Sequence, residues 1–390
     1  MESDLELTPL IKSTISKIAG PDMKAAELAQ ARLDSLTKPQ GSLGRLEELA
    51  RQIASVTGVL KPDFSKKLII VMAADHGVVG EGVSAYPSEV TPQMVYNFLR
   101  GGAGINVLAA HAGADVVVVD IGVAAVLETG SEIGKSSKNS KNISKTILKS
   151  ASKSASENIS KGIFINKKIG FGTKNMAKGA AMTIKQALAA IEAGISVANL
   201  MIENGYGIIG TGDMGIGNTT ASSAIASCIC GADVESVTGF GTGVDLKGYH
   251  NKVSAIKRAI EINRPDPADG LDVLSKIGGF EIGGIAGVIL SCASKKVPVV
   301  IDGFISGAGA LIAEALSPQC RDYMIASHCS VEKGHRVVLE KLKLKPLFDF
   351  DMRLGEGTGA ALGITIAEAA VKILNEMATF GEAGVSGKNE

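Results

Sequence analysis

The feature that most constrains this chain is a series of short, uninterrupted apolar runs separated by stretches of helical periodicity. L-I-I-V-M-A-A from Leu68 and D-V-V-V-V-D-I-G from Asp115 have the length of single strands and lack the polar alternation of a half-exposed sheet. A strand that is apolar at successive positions is buried on both faces, which a parallel sheet covered by helices on either side provides. Further short strands are expected at I-I-G before Thr211, at V-T-G-F-G-T-G-V-D from Val237, from Val297 to Asp302, and from Tyr323 to Ser330. Thr183 to about Asn204, and the stripe Leu362, Ile366, Ala369, Ile373 and Met377, repeat apolar side chains every three or four residues and read as helices. Roughly six strands alternating with helices define an α/β fold.

The chain has 390 residues, 45% of them hydrophobic but only 4% aromatic, with 47 glycines. Its core is therefore expected to be Ala, Val, Ile and Leu packing with many tight turns. Lys plus Arg and Asp plus Glu both number 40, so no net field draws the protein to nucleic acid or an anionic membrane, and a small-molecule substrate is expected. The five cysteines include no C-x-x-C pair and read as reduced core thiols of a cytoplasmic protein. No apolar run approaches the roughly 18 residues of a membrane span, and the acidic N-terminus has no signal core, so a soluble protein is expected.

Residues 1–62 and 345–390 look helical and are expected to form a small helical domain from both chain ends, beside a large α/β domain over 63–344. A Ser/Lys-rich tract over about 130–161 is expected to be a solvated insertion.

The strongest small-ligand signal is I-I-G-T-G-D-M-G-I-G-N-T-T. It runs from a strand through glycines into an Ala- and Ser-rich helix. Such a turn offers backbone N–H groups and a helix N-terminus to an anion, with Asn218 and Thr219 as side-chain donors, so a phosphate fits. It lacks the Gly-Lys-Ser/Thr of a P-loop and the spacing of a dinucleotide fingerprint. Near the other end, L-G-E-G-T-G-A sets Glu356 between glycines ahead of a helix, where the helix dipole favours an ionised carboxylate. Glu356 is either a cap for that helix or a base in a tight pocket. Asp75 and His76 end the first strand, where ligands of open α/β sheets bind, and are equally readable as loop anchors. Thr91 reads as a helix N-cap with Pro92 behind it. Ser84, Tyr86 and Gln93 beside it form a mix that lines a pocket for a flat ring or merely plugs a loop. A helix is expected to begin near Lys252, and the last strand ends in Ser327, His328 and Ser330.

T-K-P-Q-G-S-L-G-R-L at Thr37, A-D-H-G-V at Ala74, S-A-Y-P-S-E-V-T-P-Q-M-V at Ser84, G-D-M-G-I-G-N-T-T at Gly212, S-H-C-S-V-E-K-G-H at Ser327 and D-M-R-L-G-E-G-T-G-A-A at Asp351 occur in that order. In these stretches the chain resembles the nicotinate-nucleotide:dimethylbenzimidazole phosphoribosyltransferase family of cobalamin lower-ligand synthesis. The resemblance implies a Rossmann-like parallel sheet, a homodimer, and transfer of 5-phosphoribose from nicotinate mononucleotide to 5,6-dimethylbenzimidazole. Glu356 matches the family's catalytic base. Asp213, Gly215, Gly217, Asn218, Thr219, Lys252 and Ser330 match positions around the phosphate and ribose, and Ser84, Tyr86 and Gln93 fall in the base-binding stretch. The leaving ring is a pyridinium and needs no acid, while the attacking azole must shed a proton, so one carboxylate suffices. No pyrophosphate leaves, so neither a metal nor another cofactor is expected. The alternatives are transfer to another base, such as a different benzimidazole, a purine or a phenolic acceptor, and a nucleotide-binding protein without catalysis.

Overall fold

The computed structural model describes residues 7–128, 162–241 and 243–386; the Ser/Lys-rich tract lies outside them. Six parallel strands run β1 (Lys67–Ala74), β2 (Ala114–Gly122), β3 (Ile163–Asn166), β4 (Ile208–Met214), β5 (Val299–Ile301) and β6 (Met324–Ala326). Their spatial order is 3-2-1-4-5-6, that of the doubly wound dinucleotide folds.

The apolar runs divide by alternate residues, as strand geometry dictates. Leu68, Ile70, Met72 and Ala74 face one core with Val117, Val119 and Ile121. Ile69, Val71 and Ala73 face a second core with Val116 and Val118. Helices Ile184–Glu203 and Phe280–Ser294 cover the first face. They touch backbone to backbone: a Cβ on Gly194 would lie 1.9 Å from the Gly284 carbonyl oxygen, and one on Gly287 would lie 2.0 Å from that of Ile191. Helices Met23–Ser35, Arg45–Thr57, Gly104–Ala112 and Thr358–Glu376 contribute to the second face. The first helix, Pro9–Ile15, departs from this grouping, because its buried Ile11 joins the opposite core.

Two strand expectations need correction. Val237–Asp245 is not a strand: a one-turn helix, Val234–Val237, leads into a glycine turn, held by Thr238 Oγ1 donating to the Val234 carbonyl at 2.6 Å and Ser223 Oγ to that of Val237 at 3.0 Å. The sixth strand is instead β3, four residues that follow the Ser/Lys-rich tract. Lys252 lies inside helix Leu246–Asn263, whose N-cap, Asp245, accepts from Gly248 N through its side chain at 2.8 Å. Thr91 is no cap; it sits in the first turn of helix Val90–Arg100, and no side chain caps that helix at its N-cap residue, Glu89. No helix among the described residues is long and apolar enough to cross a membrane.

Candidate active site

In this strand order the chain leaves β1 and β4 toward opposite sides, which opens a crevice beyond their carboxyl ends. The glycine turn after β4 fills that crevice and is shaped by close approach. A Cβ on Gly215 would lie 2.2 Å from the Ala74 carbonyl oxygen; Gly217, at φ +91°, would meet Val79 Cγ2 at 2.8 Å. Only glycine fits there. Helix Asn218–Cys230 then starts with no side-chain cap, leaving its positive end available to an anion. Thr91 Oγ1 anchors the turn by accepting from Ile216 N at 3.2 Å.

Around this turn the sequence candidates converge. Asn218 Nδ2 donates to Asp213 Oδ2 at 2.9 Å, and Lys252 Nζ to Thr219 Oγ1 at 2.7 Å. Lys252 is 1% exposed; burial pulls its pKa down to about 8, against the pull of the Glu332 carboxylate. Asp213, Gly215, Asn218, Thr219 and Ser330 line one cleft, together with Gly241, His328, Glu332 and Arg353. Burial, and then the neighbouring Asp302 and Glu281, hold the Asp213 pKa well above the usual carboxylate range, and its Oδ1 has no hydrogen-bond partner. Ser330 is fixed through its backbone, which donates to His335 Nδ1 at 2.8 Å. This bond requires an uncharged imidazole; burial and the nearby His328 push the His335 pKa down to about 3.

Glu356 lies one residue behind the cleft wall formed by Leu354 and Gly355. Gly355, Glu356 and Gly357 have φ of +79°, +63° and +92°, so a glutamate occupies the left-handed region at a cost of about 1–2 kcal/mol. The surroundings enforce it. A Cβ on Gly212 of β4 would lie 2.5 Å from the Glu356 carbonyl oxygen, so the turn rests on bare strand backbone. Asp302, at the end of β5, accepts from Gly357 N at 3.2 Å through Oδ2 and from Ala360 N at 3.0 Å through Oδ1. Burial raises the Asp302 pKa to about 7 against the lowering by these amides.

Asp302 therefore caps the helix that Glu356 precedes, and the glutamate is not its cap. The Glu356 carboxylate instead crosses to another helix, where its Oε2 accepts from Ile105 N at 3.1 Å. Burial raises its pKa above the ordinary 4.5, opposed by the amides of Ile105 and Gly104. A Cβ on Gly104 would lie 3.4 Å from that oxygen, an ordinary contact, and 2.9 Å from the tip of the exposed Leu354 side chain.

The other sequence candidates lie apart. Ser84 Oγ accepts from Tyr86 N at 3.2 Å, Tyr86 and Gln93 are exposed, and none of the three lines this cleft. His76 Nε2 pairs with Glu281 Oε1 at 2.6 Å, both buried, and Asp75 Oδ2 accepts from Ala124 N at 2.8 Å. This buried pair braces the loops behind the glycine turn. Sequence reasoning missed Asp302, Glu332 and Arg353, although D-G-F-I-S after a buried strand marked Asp302 as a strand-end carboxylate.

A doubly wound sheet with an open helix end, a buried lysine and a carboxylate at its switch point defines an enzyme acting on a phosphorylated small molecule. A family model described as phosphoribosyltransferase matches residues 18–385. The chain belongs to the nicotinate-nucleotide:dimethylbenzimidazole phosphoribosyltransferase family. It is 55% identical over 381 residues to the nicotinate-nucleotide–dimethylbenzimidazole phosphoribosyltransferase of a Roseiflexus species, covering 98% of this chain and 99% of the relative. It is 50% identical over 377 residues to that of Geobacter sulfurreducens, covering 97% and 98%. A crystal structure of the Thermus thermophilus enzyme of the same name superposes with a TM-score of 0.81 at 41% identity, covering 94% of this chain and all (100%) of that one.

Proposed function

We propose that this protein transfers 5-phosphoribose from nicotinate mononucleotide to 5,6-dimethylbenzimidazole, giving α-ribazole 5'-phosphate and nicotinate, with Glu356 as the general base. The observation that carries this reading is the placement of Glu356: buried, held in a left-handed turn, with Oε2 on the Ile105 amide. A base works best with a pKa near the operating pH, and burial moves this one upward. In this reading the carboxylate takes the azole proton. The deprotonating nitrogen attacks C1' of the ribose, the bond to the pyridinium nitrogen breaks, and its electron pair leaves nicotinate as a neutral ring. Attack opposite to the leaving group converts the β nucleotide into the α one.

In this reading the 5'-phosphate sits on the start of helix Asn218–Cys230, where Gly215 and Gly217 admit it. Thr219, Lys252 and Ser330 hold its oxygens, with Asp213 and Asn218 beside the sugar. The base-binding role of Ser84, Tyr86 and Gln93 rests on the family resemblance alone, since none of them lines this cleft. The enzyme acts as a homodimer, a reading supported by the exposed Phe350 and Leu354 next to the catalytic turn.

Mass spectrometry of the products formed from the two substrates tests the reaction. An α-linked nucleotide together with free nicotinate is expected, and recovery of unreacted nucleotide would sink the reading. Repeating the assay with a panel of purines, phenols and other benzimidazoles fixes the acceptor.

A further inference from the structure

One polar ring in the cleft wall has no task in the mechanism above. His328 follows β6, is buried, and stacks on Phe348 with ring centroids 5.8 Å apart. Its Nδ1 lies 3.1 Å from Ser327 Oγ. That hydroxyl has a single proton, which it donates to the Asp302 carbonyl at the shorter distance of 2.8 Å. Toward the ring, Ser327 Oγ is then left only its lone pairs, so Nδ1 carries the imidazole proton. In a neutral imidazole the second nitrogen, Nε2, is consequently a bare acceptor.

Two observations aim that acceptor at a ligand. His328 lines the cleft with Asp213 and Ser330. Beside it stands Gly303, where even a Cβ would come within 3.6 Å of Nε2, so the missing side chain keeps the approach open. Burial keeps the ring uncharged, lowering its pKa to about 4.

A lone pair repels phosphate oxygens and attracts O–H donors. The cleft is polarised accordingly. Lys252 and Thr219 mark its donor end, whereas His328 Nε2 offers a lone pair. A sugar phosphate has the complementary arrangement, with acceptor oxygens at one end and hydroxyl donors on the ring.

We propose that His328 Nε2 accepts a hydrogen bond from a ribose hydroxyl of the nucleotide substrate, so that this residue positions the sugar and selects ribose over deoxyribose. The proposal rests on the transfer reaction assigned above.

The test compares kcat/KM for nicotinate mononucleotide and its 2'-deoxy and 3'-deoxy analogues in the wild type and in His328→Phe, which keeps a ring against Phe348. A lost hydrogen bond of this kind is worth up to about tenfold. The wild type is expected to disfavour one deoxy analogue by about that factor. The variant should lose the same factor on the ribonucleotide and nothing on that analogue, abolishing the preference. An equal loss on all three substrates, or an undiminished preference, overturns the proposal. A measurement on the unaltered protein guards against a variant that fails to fold: ¹⁵N spectra should show His328 protonated at Nδ1, with its Nε2 signal moving when the nucleotide binds. A proton found on Nε2, or an Nε2 signal indifferent to the nucleotide, overturns it as well. If the wild type turned over none of the three nucleotides, the assigned reaction would fall instead, and the ¹⁵N response to each nucleotide would still judge the ring.

Discussion

Two turns in this molecule look alike in sequence and do opposite things. G-I-G-N-T from Gly215 and G-E-G-T from Gly355 both put a left-handed glycine immediately before a helix. The first helix end is uncapped and faces a cleft, with the buried Lys252 bonded to its Thr219. The second is closed by Asp302, a carboxylate from another strand, which takes two of its amides. An open end favours an anion. A closed end cannot serve one, and in the second turn the intervening residue is freed to send its carboxylate to a different helix. Whether a glycine turn binds charge or displays it is decided here by a third residue, distant in sequence.

The sharpest way to break this contrast is Glu356→Gln. It keeps the turn and the phosphate site but cannot take a proton, so kcat should fall about 10²- to 10⁴-fold while nucleotide binding, read by calorimetry, stays near wild type. Nicotinate release at the wild-type rate would disprove the role. Next comes Lys252→Met at the open end, where removing the cation should raise KM for the nucleotide roughly 10- to 100-fold, in line with about 1.5–3 kcal/mol for a bond to a charged group, and leave kcat less affected. Asp302→Asn tests the closed end. One of its two acceptor oxygens becomes a donor facing an amide, so stability should drop by about 1–3 kcal/mol on denaturant titration, with a fall in kcat as the Glu356 turn loosens.

The mildest probe is pH. As the proposed base Glu356 must be ionised, and its pKa lies above 4.5, so kcat should fall tenfold per unit of acidification below a limb displaced upward from the ordinary glutamate value. Lys252 loses its charge as pH rises through about 8, so KM for the nucleotide should climb on the alkaline side. A profile flat across both regions would deny these groups their roles.

Much of the fold was legible because a sheet buried on both faces leaves uninterrupted apolar runs, as at Leu68 and Asp115. β3 was not, since four residues behind a Ser/Lys-rich tract carry too little pattern. Val237–Asp245 imitated a strand because its glycines look like a strand-end turn, while side-chain bonds from Thr238 and Ser223 hold a helical turn instead. The glycine turn was readable because its chemistry is local. Glu356 stood out, but the direction of its carboxylate did not. That direction depends on Asp302 and on the Gly104–Ile105 amides, contacts between segments far apart in sequence.

Gly212 carries one more consequence. Because the carbonyl of Glu356 rests on a strand position with no room for a methyl group, the aim of the carboxylate is set by contact between two stretches of main chain. Gly212→Ala would be a wedge under the proposed base. It would yield a protein in which every reactive atom is retained yet misdirected, a decoy able to hold substrate without consuming it.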